Sequence, residues 1–252
     1  MSDFIKPTHI DEEKYFDSNK ILMCKTDKEG ILEFANNEFV EVSGFSETEL
    51  MGKPIFHVQH PDMPEVIFKM MWEKIYDKEE FKVVVKDITK DGKYFWTLTV
   101  FSVTLDAKGE IKAIYSKRFA VSEKTKDFFS KLYKTLTRIE NKRSINGIKD
   151  IKSSEKYLIG YLEENQIDFQ SLIDKFQNTT VESNLSNKKT STVKKTNTVQ
   201  LKPKIALKTA AKDISVAKND ISKDKPKKKS LFQRLFGMTD SEIEAKKKRR
   251  NK

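Results

Sequence analysis

An imidazole and a carboxylate stand two residues apart in the run His60-Pro61-Asp62-Met63-Pro64, ahead of a predicted helix. Such a pair can hold a polar ligand, or it can cap the helix that follows, since Asp near a helix start is common. The remaining histidines, His9 and His57, and the single cysteine, Cys24, complete the set of imidazole and thiol ligands. Three scattered histidines and one cysteine make a poor metal site. One cysteine also excludes an intramolecular disulfide and a Cys-based metal cage. No phosphate-cradling G-x-x-x-x-G-K-[ST] loop and no G-x-S-x-G elbow occurs. Kinase phosphoacceptor, ATP-lid and GGDEF-like motifs are missing too, so a binding protein is expected rather than an enzyme.

The elements that must position these groups alternate between strand-like and helix-like periods. Residues 20–27 read as a strand, ending in the turn Asp27-Lys28-Glu29-Gly30, and residues 31–35 as its hairpin partner. Asn36 and Asn37 open a short helix over 38–42, closed by Ser43-Gly44. Ser46 with Glu49 forms a capping box for a second short helix. Pro64 suits the first turn of a longer helix to about Tyr76, whose apolar residues Val66, Ile67, Met70, Met71 and Ile75 follow helical spacing. Strand-like runs follow over 81–88, 94–104 and 111–121, with Asp91-Gly92 and Lys108-Gly109 as their turns. Two strands, short helices and three antiparallel strands predict an α+β domain: a five-stranded antiparallel sheet with helices on one side. The span 122–145 reads as a helix. Its Phe129, Leu132, Leu136 and Ile139 suit either a coiled-coil seam or packing on the sheet. Two more helices are expected over 154–165 and 168–176.

The chain has 252 residues, 35% of them charged and 37% hydrophobic, and a net charge of +11. That charge is unevenly placed. Residues 181–252 hold 21 of the 49 Lys and Arg but only 7 of the 38 Asp and Glu. No aromatic residue falls between Phe176 and Phe232. The organisation that follows is an N-terminal cap or disordered stretch, 1–17; a globular domain, 18–122; a helical region, 123–177; a disordered linker, 178–229; and a basic amphipathic segment, 230–252. Leu231, Phe232, Leu235 and Phe236 give that last segment one apolar face between basic blocks. It admits three readings: a solvated end, a helix lying on an anionic membrane surface, or a nucleic-acid contact. Its few, clustered aromatics rank the membrane or a partner groove above nucleic acid. No stretch approaches the ~20 apolar residues of a membrane-spanning helix. The opening residues do not read as a signal peptide. A soluble, cytoplasmic protein is expected, with the C-terminal segment able to touch the inner face of the membrane.

The stretch from Asp27 to Trp96 resembles PAS domains, and among them the FAD-binding type of aerotaxis receptors. The resemblance rests on Asn36-Asn37-x-Phe39-x-Glu41-Val42-Ser43-Gly44-Phe45, Glu49-Leu50-x-Gly52-x-Pro54, His60-Pro61-Asp62-Met63-Pro64, Phe68-x-x-x-Trp72 and Lys90-Asp91-Gly92-x-x-x-Trp96. It covers roughly residues 18–122 and implies a PAS fold. It further implies that His60 and Asp62 help hold FAD, that Asn36 lies at the cofactor cleft and that Trp72 lines the pocket. Trp72 reads equally well as a core residue. Two positions depart from the group's pattern. Gln59 stands where Arg is usual, and Gln does not replace the bidentate, charge-assisted grip of Arg. Phe81 stands where Trp is usual; it can stack on a flat ring but offers no N–H donor. A photo-adduct cysteine would belong in the helical part of the pocket, whereas Cys24 lies in the first strand. A haem would call on His57 or His60 as its axial ligand.

By this resemblance the chain is expected to sense redox or energy state through FAD and to relay it to a membrane-bound chemoreceptor or another signalling protein. It resembles the soluble member of a two-chain system and could form a homodimer. The alternatives are a cofactor-free PAS interaction module and a nucleic-acid-associated adaptor acting through the basic tail.

Overall fold

Along β1 (Leu22–Thr26), buried and half-buried side chains alternate, the pattern of a strand with one face on a core. Its neighbours are β2 (Leu32–Ala35) and β5 (Ile111–Ala120), and β5 pairs in turn with β4 (Tyr94–Leu105), which pairs with β3 (Phe81–Ile88). All pairings are antiparallel, in the order β2-β1-β5-β4-β3. The computed structural model describes residues 7–142 and 149–186. The five-stranded sheet and its hairpins are those expected, within one or two residues at each end.

Between β2 and β3 lie α1 (Asn37–Ser43), α2 (Glu47–Leu50), a 3-10 turn (Ile55–Val58) and α3 (Glu65–Tyr76). Asn36 caps α1 and Gly44 closes it at a φ of +74°, a conformation that favours glycine. The capping box of Ser46 and Glu49 is present at α2. These elements pack on one face of the sheet in two apolar clusters. Phe39, Val42, Phe45 and Leu50 meet Leu22, Cys24, Leu32 and Phe95. Met63, Val66, Ile67, Met71, Trp72 and Ile75 meet Val83, Val85, Phe101 and Ile114.

After β5 come α4 (Glu123–Lys142), α5 (Ile151–Glu164) and α6 (Phe169–Ser186). Phe129, Leu132 and Leu136 of the predicted seam are buried in the core, and Tyr133 stacks on Trp96 of β4 at 6.2 Å between centroids. The end of the helical region needs correction. α6 runs to Ser186, into the stretch read as linker, because residues 177–186 contain neither Gly nor Pro to stop it. The rest of that linker and the basic segment 230–252 lie outside the described residues.

The sheet edge at β3 is covered by side chains rather than left open. The Gln170 amide of α6 accepts from Lys82 N and donates to Lys82 O, both at 2.9 Å. Tyr133 donates to Val84 O at 2.7 Å, and His60 N to Lys86 O at 3.2 Å. Unpaired strand edges invite pairing with other chains, and this cover blocks it. Residues 7–17 act as a cap. Ile10 N donates to Gly92 O at 2.8 Å, Tyr94 N to Glu12 O at 3.0 Å and Lys14 N to Tyr94 O at 2.7 Å. Gly92, with φ +87°, admits this segment, since a Cβ there would lie 2.2 Å from Thr8 O. His9 is thereby placed on the domain, not in a loose terminus.

Among the described residues no helix is long and apolar enough to cross a membrane. No group of three or more His, Cys, Asp or Glu stands ready for a metal among them.

Candidate functional site

Side chains alternate along β3, so Val85 and Asp87 point to the face covered by α3 while Val84 and Lys86 point away. That parity builds the site. A cavity of about 240 Å³ lies between α3 and the sheet. Its helical wall is Glu65, Phe68, Met71, Trp72 and Ile75; Ile55, Phe56 and Gln59 close one side; Thr26, Val85, Asp87, Phe101, Ile114, Ser116 and Arg118 form the sheet wall. The volume falls just below the ~300–1,000 Å³ of ordinary ligand pockets. It suits a flat ring system and leaves no room for a whole dinucleotide.

The cavity wall is mostly apolar, with Glu65, Asp87 and Arg118 as its charged members. Arg118 is 2% exposed; its Nε lies 3.4 Å from Asp87 Oδ2, and its Nη1 donates to Ser116 Oγ at 2.6 Å. Its guanidinium stands 5.1 Å from the centroid of the Phe39 ring. Cys24 is close by on β1, where burial pushes its thiol up to about 11 against the lowering influence of Arg118. It is therefore a neutral thiol at neutral pH. A ligand with an aromatic plane and a polar edge fits this arrangement. The plane would lie among Phe56, Phe68, Trp72 and Phe101, and the edge would face the Arg118 donors and the Gln59 amide.

The residues singled out from the sequence are not gathered at one place. Trp72 lines the cavity and is 4% exposed. Phe81 is buried one position away: its cross-strand partner Phe101 lines the cavity, while Phe81 itself stacks on Phe169 of α6 at 5.9 Å. Asn36 ties α1 to β1. Its Oδ1 accepts from Phe39 N at 3.0 Å and Met23 N at 2.9 Å, and its Nδ2 donates to Ile21 O at 2.8 Å. It is not part of the cavity wall.

His60 and Asp62 stand together on the other side of β3. His60 is buried, with its ring edge-on to His9 and Tyr94 at 5.5 and 5.7 Å. Its Nδ1 accepts from Asp62 N at 3.1 Å. Asp62 takes the Lys86 ammonium at 2.8 Å, and Lys86 in turn lies 3.9 Å from the Tyr94 ring centroid. Burial works to raise the Asp62 carboxyl, but the bond and charge of Lys86 outweigh it and hold the group below its ordinary value. The loop acts here as a clasp on β3 and as the lead into α3. His57 does not line the cavity either.

Sequence reasoning passed over Arg118, Asp87 and Ser116. A signal for them existed. Ile114, Ser116 and Arg118 share one parity on β5, so a polar and a charged side chain lie on the strand face that Ile114 buries. Charged residues on a core face are rare unless paired, and so mark candidates for function.

Residues 32–116 match the PAS fold family. The aerotaxis receptor of Escherichia coli (strain K12) is 34% identical over 115 residues, which is 46% of this chain and 22% of the receptor. Phototropin-2 of Oryza sativa subsp. japonica is 29% identical over 79 residues, 31% of this chain and 9% of that protein. The chain therefore spans less than a quarter of the length of either relative. Among solved structures, the light state of the blue-light photoreceptor Aureochrome1 LOV aligns with 47% of this chain and 91% of its own at 23% identity, with a TM-score of 0.39.

Proposed function

Starting from residues 32–116 as a PAS domain, we propose that this chain is a redox or energy sensor that holds a flavin, FAD by its resemblance to the aerotaxis type, in the cavity between α3 and the sheet. The observation that carries the reading is the buried Arg118 in the wall of a cavity that also holds Phe56, Phe68, Trp72 and Phe101. Phe56, Phe68, Trp72 and Phe101 would flank the ring. Arg118, Ser116 and Gln59 would orient its polar edge. The adenosine part would extend outside the cavity. Bound there, a flavin supplies a reversible change of charge and hydrogen bonding with redox state. A buried guanidinium responds strongly to such a change, because charges interact more strongly where water is excluded. Arg118 also offers a cation at the cavity where Gln59 cannot.

The output would pass through the helices α4–α6 to a signalling partner, of which a membrane-bound chemoreceptor is the type the aerotaxis resemblance suggests. The role is one of sensing and relay, without catalysis, in the cytoplasm. The visible spectrum of the full chain purified without added cofactor tests it. A flavin spectrum, bleached by dithionite and restored by air, is expected. A colourless protein that takes up no FAD overturns the flavin reading in favour of a cofactor-free interaction module. A Soret band would replace flavin by haem.

A further inference from the structure

The N-terminus of α3 lies on the cavity and has no cap of its own. Pro64 occupies the capping position and supplies no side-chain hydrogen bond. The first-turn N–H groups, which a helix cannot satisfy internally, are met from far along the chain. Glu140, fully buried on α4, accepts from Glu65 N at 2.9 Å and Val66 N at 3.0 Å. Ser154 Oγ of α5 lies 2.9 Å from the same carboxylate and 2.9 Å from Ile151 O, so its one proton is shared between these two acceptors. One side chain thus holds the start of α3 and α5 together.

Two contacts run beside it. Thr137, three residues before Glu140 on α4, donates to Asp62 O at 3.0 Å. Glu65, on the cavity wall, pairs through its carboxylate with Lys149, just ahead of α5, at 3.3 Å. Along α4, Tyr133, Thr137 and Glu140 recur at helical spacing and touch β3, the loop before α3 and α3 itself. These are elements that enclose the cavity.

We propose that Glu140 is the positioning residue through which the state of the cavity reaches α4 and α5. A ligand that shifts the first turn of α3 moves the two N–H groups that Glu140 holds, and Ser154 carries the displacement to α5. A buried acceptor that holds two backbone donors resists partial rearrangement, since leaving either of them unpaired is costly. The coupling belongs to the fold; only the ligand arm of its test rests on the flavin reading.

Amide hydrogen exchange on the full chain tests it. Without cofactor, Glu140→Gln is expected to raise exchange at residues 65 and 66 and throughout α5 together, by roughly tenfold, with the strands unchanged. Ser154→Ala, which leaves both α3 bonds in place, is expected to raise exchange in α5 alone. A Glu140→Gln effect confined to α3, or a uniform rise across the sheet, overturns the proposal. With FAD, the wild-type chain is expected to gain protection in both α3 and α5. Ser154→Ala is expected to bind FAD as tightly but to gain less protection in α5 than the wild type, because only the Glu65–Lys149 and Lys69–Glu155 pairs then link α3 to the α5 region. Equal protection of α5 in the two proteins overturns the coupling. Failure of the wild-type chain to take up FAD overturns the flavin reading instead, and leaves the cofactor-free comparison to decide the coupling.

Discussion

Lys86 and Asp87 are neighbours on β3, and each forms an ion pair on a different side of the strand. Lys86 meets Asp62, whose side chain is 63% exposed, at 2.8 Å. Asp87 meets Arg118 at 3.4 Å, with both side chains under 5% exposed. The shorter pair is the weaker contributor. Water screens Asp62, and pairs with such exposure are worth little. The longer pair is desolvated, so either partner left alone would be a buried, uncompensated charge. A single step along the strand separates a clasp from a candidate ligand site.

The largest effect is therefore expected inside. Arg118→Ala should destabilise the fold by about 3–5 kcal/mol in urea unfolding and abolish flavin retention. The double variant Arg118→Met with Asp87→Leu should recover most of that stability without recovering the flavin. A loss below about 1 kcal/mol for Arg118→Ala would mean that this pair behaves like an exposed one, and the contrast would fail.

An intermediate effect is expected at the cap. Gly92→Ala combines an unfavourable positive φ with a clash against Thr8 O, and should cost about 1–3 kcal/mol. Limited proteolysis should then cut within residues 7–17, because the cap is displaced from the turn. Uncut protein would show that the cap is held by other contacts, such as the pair of Glu13 with Lys126 at 2.6 Å.

The smallest effect is expected outside. Asp62→Asn should change stability by about 0–1 kcal/mol at neutral pH. Because the folded carboxyl lies below its ordinary value near 3.8, its contribution is full above that pH and is lost as pH falls through the lowered value. The gap between wild type and Asp62→Asn should close in that acid range and stay constant above it. Flavin retention should persist in Asp62→Asn; its loss would place the loop at the ligand and move the site across β3.

Much of the framework was legible from short-range signals. Turn residues such as Gly44 and Gly92, the Ser46–Glu49 capping box and the alternation in the strands each act within a few residues, so their consequences can be read locally. The candidate site was less so. Trp72 lines the cavity. His60 and Asp62 stand out in sequence, yet the burial of His60 and the bonding of Asp62 arise from Lys86, Tyr94 and His9, which no local pattern links to them. Arg118 lies far along the chain from Gln59 and Asp87, and only sheet pairing brings it to the cavity.

By itself, the sequence determined which segments become strands and helices, because backbone propensity, capping and side-chain period operate over a few residues. It also determined where charge accumulates along the chain. The tertiary structure alone decided which charges share the buried face, that α4 caps α3 through Glu140, and that α6 covers the edge of β3. Those outcomes depend on contacts between residues dozens of positions apart, and on which side of a strand a single residue falls.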